Sequence, residues 1–306
     1  MVIMILAGLP GAAHADYYTS NVELVSKMTV TGGPRIYAAG KYLYFVRVKE
    51  GIEIFEKKKP GKLEKTGELK IPDASNAFFS DGTTAFISLA ECGVQMINIE
   101  NPASPVKLSE YNTVDKRWND KVKVNLIYAL EKRLYLGFGS VFRVLNISDM
   151  LNPAVISEIN LDEGTEFERF QIEGCTAIAR KYNELTLVAA LGSNDKRVID
   201  LASVKNAVTD VYGMKDSFLF AATENEFVVI DIWNPEKPRV VYSNPNYKSI
   251  SALLIEDNLI YILDAGAGLA VYDIANPSVP KQTARYGRLA WPFSAAVSGD
   301  YVYVVD

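Results

Sequence analysis

The chain has 306 residues, 49% of them apolar and 23% charged, with a net charge of −5. It is too apolar to be disordered and long enough to bury a large core. The acidic balance excludes a nucleic-acid footprint, which would be basic and concentrated on one face; the densest basic run, residues 56–65 (EKKKPGKLEK), is interleaved with acids and reads as a solvated hairpin tip.

Residues 1–15 carry no charged side chain, are apolar, and end in Ala13-His14-Ala15. That is the apolar region and small-residue cleavage site of a secretory signal, although the usual positive start is absent and the true start would then lie upstream. The alternative for this stretch is a buried first strand or helix. No cysteine follows, so a lipoprotein anchor is not indicated, and no later stretch approaches the ~18 apolar residues of a membrane span. The expectation is a signal peptide over 1–15 and one soluble domain over 16–306, located in the periplasm, at the cell surface or outside the cell. His14 is the only histidine, so processing would leave none. A Ser-His-Asp or Cys-His triad and a His-ligated zinc site are then excluded. Cys92 and Cys175 fall in non-adjacent units and are expected as buried thiols rather than a bridge, which would need Cα atoms within about 7 Å.

From residue 36 onward the chain repeats. Short strands rich in small residues, such as Ile36–Ala39, Ala252–Ile255 and Ser294–Val297, each precede a turn signal and a second strand. The turn signals are Gly40-Lys41, Asp81-Gly82, Glu131-Lys132, Asn183-Glu184, Lys215-Asp216, Asp257-Asn258 and Gly299-Asp300. The second strands are Tyr42–Val46, Thr84–Ser88, Leu134–Leu136, Leu185–Val188, Phe218–Phe220, Leu259–Leu263 and Tyr301–Val305. A third strand follows in the phrase apolar-Asp/Asn-apolar-x-Asn-Pro. It is written VQMINIENP over 94–102, FVVIDIWNP over 227–235, LAVYDIANP over 269–277, and as FRVLNIS over 142–148 leading to Asn152-Pro153. Pro105, Pro238 and Pro280 then open an outer fourth strand, a position a ladder tolerates because proline has no N–H to donate. The phrase residue is expected to cap the turn with its own side chain.

Four-stranded units at a period near forty residues predict an all-β fold, a β-propeller of seven blades with the last incomplete. The third-strand positions Glu56, Asn98, Asn146, Asp200, Asp231 and Asp273 mark the units, and the short interval after Asp200 suggests a three-stranded blade there. Val22–Val30 is expected as an outer strand lent to the last blade.

Residues 268–280 (GLAVYDIANPSVP) and 295–306 (AAVSGDYVYVVD) resemble the LVIVD-repeat family; the match is strong over 226–306, good over 84–108 and faint over 51–70 and 185–213. The resemblance implies a secreted or cell-surface β-propeller of bacteria or archaea. It implies no catalytic residue, because that motif is structural.

The repeated acids and amides sit one per unit, too far apart to supply the 6–8 oxygens calcium takes, and Asp264–Gly268 is a hairpin turn rather than a phosphate loop. No cofactor and no metal are expected. Binding is expected on the loops that enter the first strands and join second to third strands, carried by Arg35, Arg117, Trp118, Arg169, Phe170, Tyr247, Lys248, Arg288 and Trp291. Trp291 and Phe170 can equally plug the fold. The unrepeated insertions 115–120 and 162–170 point to Trp118 and Arg169 in particular. Two functions follow: a non-enzymatic, monomeric interaction scaffold for a protein or carbohydrate partner, or a carboxylate- and metal-dependent hydrolase or lactonase drawing on Asp120, Glu163, Glu166 and Glu168.

Overall fold

A computed structural model describes residues 2–8, 22–59, 61–115, 120–162, 166–171, 176–181, 184–189, 196–200, 208–223, 226–234, 236–247, 249–287 and 289–306. All regular elements among the described residues are strands, in agreement with the all-β reading. They pair into seven four-stranded sheets and one two-stranded ribbon, in a β-propeller arrangement, and the chain divides into two compact units.

The first unit comprises residues 1–36, 59–62 and 199–306. One sheet contains β21 (Val208–Lys215), β22 (Phe218–Thr223), β23 (Phe227–Asp231) and β24 (Arg239–Asn244). The next contains β25 (Ile250–Glu256), β26 (Leu259–Asp264), β27 (Gly268–Asp273) and β28 (Lys281–Tyr286). The last runs in the order β29 (Ser294–Ser298), β30 (Tyr301–Val305), β1 (Val2–Gly8), β2 (Val22–Thr29). The expected incomplete last blade is therefore corrected. Its fourth strand is the one foreseen, and its third strand is drawn from the apolar N-terminal segment.

The second unit comprises residues 37–58 and 63–198. It holds most of the sheet β3 (Arg35–Ala39), β4 (Tyr42–Arg47), β5 (Gly51–Lys59), β6 (Lys62–Lys70), followed by β7 (Ala74–Ser80), β8 (Thr84–Leu89), β9 (Val94–Asn98), β10 (Val106–Tyr111). A short ribbon, β11 (Val114–Asp115) with β12 (Asp120–Lys121), precedes β13 (Val124–Leu130), β14 (Arg133–Phe138), β15 (Val141–Asn146), β16 (Ala154–Asn160). The remaining sheet is β17 (Glu166–Gln171), β18 (Thr176–Lys181), β19 (Glu184–Ala189), β20 (Lys196–Asp200). Here Asp200 ends a fourth strand, not a third, and the sheet has four strands where three were expected. The short interval to Asp231 follows, because no outer strand has to fit after Asp200.

Five sheets, β3–β6, β7–β10, β13–β16, β21–β24 and β25–β28, are blades whose strands and packing are both described, and the seven-blade expectation is corrected to that extent. The sheet β17–β20 and strand β1 are described by backbone pairing alone.

The core sits between neighbouring sheets. Phe220, Phe227 and Val229 pack against Leu253, Ile260 and Ile262, and Leu263, Leu269 and Val271 pack against Ala295, Val302 and Val304. Second and third strands are covered on both faces, so they read as near-continuous apolar runs, such as β26 and β27, while the fourth strands β24 and β28 stay largely exposed. The first hairpins close with left-handed backbone at Gly40, Gly82, Glu131, Lys132, Asp216, Asp257 and Gly299, at six of the seven foreseen turns. Asn183 lies outside the described residues.

The repeated phrase is architectural. Oδ1 of Asn98, Asn146, Asp231 and Asp273 accepts the backbone N–H two residues on, at 2.8–3.0 Å. Asn101, Asn234 and Asn276 repeat the same cap over the following turn. Strands β10, β24 and β28 each begin one residue after the second proline. The Trp233 N–H and then the Arg239 guanidinium hold the Asp231 carboxyl below the usual carboxylate range. A depressed folded-state value means that the stabilisation is fully present above about pH 4 and is lost as pH falls through the lower native value. Asp231→Ala should cost about 1 kcal/mol at pH 7, modest because Arg239 is exposed. The difference from wild type should shrink in urea melts as the pH is lowered from 7 through the depressed native value.

Candidate functional site

In each antiparallel sheet, the turn joining second to third strand and the connector leaving the fourth strand lie at the same end. The structure builds three things at that end: a charged groove, a tethered insertion and a buried carboxylate.

The groove, about 300 Å³, opens at the end of the β3–β6 sheet. Its wall is the β4–β5 turn, where Lys49 adopts φ 63° and Gly51 φ 118°. That shape is forced: a Cβ on Gly51 would lie 2.1 Å from the Leu69 carbonyl oxygen. The tight approach brings Glu50 and Glu53 against Glu68 and Lys70 of β6, with Ile52, Leu69 and Pro72 as the apolar floor. Arg47, mostly buried, pairs with Glu53, whose other oxygen takes Lys65 at 2.6 Å; Lys65 also pairs with Glu68. Glu50 approaches Arg47 at 3.9 Å. The result is a chain of alternating charges with Lys49 and Lys70 at the solvent rim. Among the lining residues there is no aromatic side chain.

The insertion of residues 115–120 is held at its base by Thr113, which is fully buried. The Gly93 N–H donates to its hydroxyl at 2.8 Å, and the hydroxyl donates to the Val122 carbonyl at 2.7 Å. The chain is thus pinned on both sides of the β11–β12 ribbon.

Asp264, 2% exposed, ends β26. Its Oδ1 accepts the Gly266 and Ala267 N–H groups at 2.7 Å each, and its Oδ2 accepts the Ser249 N–H at 2.8 Å. The sequence assigned this stretch to a hairpin turn, and Asp264 pairs with Gly268 across that turn. The carboxylate also ties in the connector from the fourth strand of the preceding sheet.

The nine sequence-derived candidates do not come together as one described site. Trp291 is 77% exposed, its N–H and that of Ala290 bound to the Asp306 carboxylate. Arg35 is exposed at the start of β3, where the neighbouring Ile36 N–H donates to Ser294 Oγ at 3.0 Å. Tyr247 is not a surface residue: it is 4% exposed and packs against Phe227, with its hydroxyl 2.8 Å from that of Tyr272. Tyr272 in turn donates to Gln282 and accepts from Asn244. Burial raises both phenols, so they stay neutral and hold the β24–β25 connector down. Arg169 and Phe170 lie on strand β17 rather than on an inserted loop, paired with Ile178 and Ala177. Arg117, Trp118, Lys248 and Arg288 lie outside the described residues. Cys92 is a buried free thiol, as expected, and Cys175 lies outside the described residues.

For the hydrolase alternative, Glu163 also lies outside the described residues, while Asp120, Glu166 and Glu168 are described by backbone alone, on β12 and β17. Among the described residues no group of three or more His, Cys, Asp or Glu side chains is arranged to hold a metal ion. No helix among them is long and apolar enough to cross a membrane.

Repeated sheets of four antiparallel strands, with the fourth strands β10, β16, β24 and β28 largely exposed, define a β-propeller protein. The chain carries LVIVD repeats, matched over residues 213–245, 250–287 and 293–306. Solved propellers resemble it along their length. The periplasmic gluconolactonase PpgL of Pseudomonas aeruginosa is 12% identical, with a TM-score of 0.64 over 100% of this chain and 99% of that one. Apo AztD of Citrobacter koseri is 12% identical, with a TM-score of 0.66 over 99% and 98%. BamB of Moraxella catarrhalis is 10% identical, with a TM-score of 0.60 over 99% and 90%. At these identities the likeness is one of fold. A search of curated protein sequences finds no match.

Proposed function

We propose that this protein is a non-enzymatic interaction scaffold that engages a protein partner through the loop end of its sheets, centred on the charged groove of the β3–β6 sheet. The observation that carries this reading is the groove itself: Arg47, Glu53 and Glu68 line it over an apolar floor, with Lys65 beside it pairing to both glutamates. Such a lining complements a charged, extended segment of polypeptide, which can exchange ion pairs while covering Leu69 and Pro72. A carbohydrate partner fits it less well, because sugar rings bind chiefly by stacking on aromatic faces and the lining has none. In the other compact unit, the exposed Trp291 is a separate candidate contact, since Trp is among the residues that dominate binding hot spots.

The test is affinity capture with immobilised full-length protein, comparing wild type with the double variant Lys49→Glu/Lys70→Glu. Both lysines are exposed at the rim, so the variant should fold with an unchanged melting temperature. The captured partner should be retained at least tenfold less by the variant, and capture by wild type should weaken with added salt, as desolvation-poor charge pairs do. Equal retention by wild type and variant would move the site away from this groove.

A further inference from the structure

The N-terminal apolar segment is given two incompatible roles. Its composition suits a leader removed after Ala15, while its backbone forms the third strand of the last sheet. The strand pairing separates them. In the four sheets that carry the Asp/Asn-x-x-Asn-Pro phrase or its variant, the Asp or Asn faces the first residue of the second strand: Asn98 with Thr84, Asn146 with Arg133, Asp231 with Phe218, Asp273 with Leu259. In the last sheet, Ala7 faces Tyr301, the first residue of β30.

The other edge agrees independently. Each of those third strands meets its fourth strand through a bulge that falls one residue before the Asp or Asn. The register shifts by one residue at Leu108, Ile156, Val241 and Thr283 of β10, β16, β24 and β28. Strand β1 meets β2 through the same bulge, between Ile5 and Leu6, leaving Val25 unpaired. A one-residue slip would exchange the two faces of the strand, so coincidence of register on both sides is a demanding condition. The composition fits as well. A third strand is buried on both faces, as the unbroken burial of Val94–Ile97 and Phe227–Ile230 shows, and residues 2–8 (VIMILAG) supply such an uncharged run.

We propose that residues 2–8 stay with the mature protein as a structural strand, filling a slot between β30 and β2 that is shaped to receive an apolar strand in this one register. Ala7 stands at the position where those other sheets have the capping Asp or Asn. Loss of the segment would uncover Val302, Val304 and Val305 and detach β2.

The test is disulfide trapping in the full-length chain produced in an export-competent host. The double variant Ile5→Cys/Tyr303→Cys joins facing residues, and Ile5→Cys/Val302→Cys is the out-of-register control. Peptide mapping should find the 5–303 disulfide and not the 5–302 one, and the intact mass of wild type should retain residues 2–8. A mature chain beginning at Asp16 would overturn the proposal, as would equal trapping of both pairs or of neither. Should the cysteine variants misfold, hydrogen exchange on wild type decides the matter. Amides of residues 2–8 protected to the same degree as those of β27 support the strand, and exchange at the rate of unprotected chain overturns it.

Discussion

Gly268→Ala should lower the melting temperature by about 5 °C or more, a loss on the order of 3 kcal/mol. Gly268 opens β27 at φ 80°, and a Cβ there would lie 2.2 Å from the Tyr286 carbonyl oxygen and 2.8 Å from the Gly287 Cα. Both neighbours are backbone of the connector that leaves β28, so no side chain can swing aside. Relief requires β27 and that connector to separate, which breaks the pairing of Leu269 with Tyr286. Left-handed backbone strain and a displaced strand end each contribute roughly 1–3 kcal/mol. Gly51 and Gly93 occupy the same place in their sheets, 2.1 Å and 2.4 Å from the Leu69 and Tyr111 carbonyls, and should behave alike. Gly287→Ala is the control. Nothing lies within 4 Å of its added Cβ, so its melt followed by circular dichroism should match wild type.

Asp264→Ala should cost about 3 kcal/mol, comparable with the glycine but by a different route. The substitution leaves the Ser249, Gly266 and Ala267 N–H groups without their acceptor, and an unsatisfied buried donor costs about 1–3 kcal/mol. Partial access of water to the Ser249 end keeps the total below the sum of three such losses. Asp264→Asn keeps the oxygen that serves Gly266 and Ala267 but turns an amide N–H₂ toward Ser249, so its cost should fall between alanine and wild type. Denaturant unfolding of the three proteins at pH 7 measures the order. If Asp264→Ala and Asp264→Asn prove equally mild, the carboxylate is not what holds the β26–β27 turn to the β24–β25 connector.

Much of the fold is legible in the chain because the repeat ties each signal to a single physical requirement. An Asp or Asn followed two residues later by an orphan N–H can only cap, and Asp231 and Asp273 do so. A proline before an outer strand marks a place where no ladder hydrogen bond is needed, and β24 and β28 start there. Where the repeat is degenerate, the reading fails. Residues 184–189 have the look of a second strand but pair as a third, because nothing in the apolar pattern of Glu184–Ala189 distinguishes the two places. The N-terminal strand was hidden for a related reason: an uncharged apolar run satisfies both a leader and a fully covered strand.

The candidate site was less legible than the fold. Tyr247 was singled out because tyrosine is common in binding surfaces, yet burial against Phe227 and the Tyr272 hydroxyl accounts for it. The groove was missed because its charges alternate along β4, β5 and β6 and leave no cluster in the sequence. Arg47, Glu53, Lys65 and Glu68 meet only after the sheet pairs. The one available signal was Gly51, a glycine directly before an apolar third strand, which marks where the turn must press against β6.

The reading of a binding scaffold rather than an enzyme is tested most directly by turnover. Purified full-length protein should be assayed against a panel of sugar lactones and esters, with and without added divalent cations. Rates indistinguishable from buffer under every condition are the predicted result. Saturable hydrolysis that is abolished by Glu50→Gln, Glu53→Gln or Glu68→Gln, in variants whose melting temperature is unchanged, would contradict it and make the charged groove an active centre.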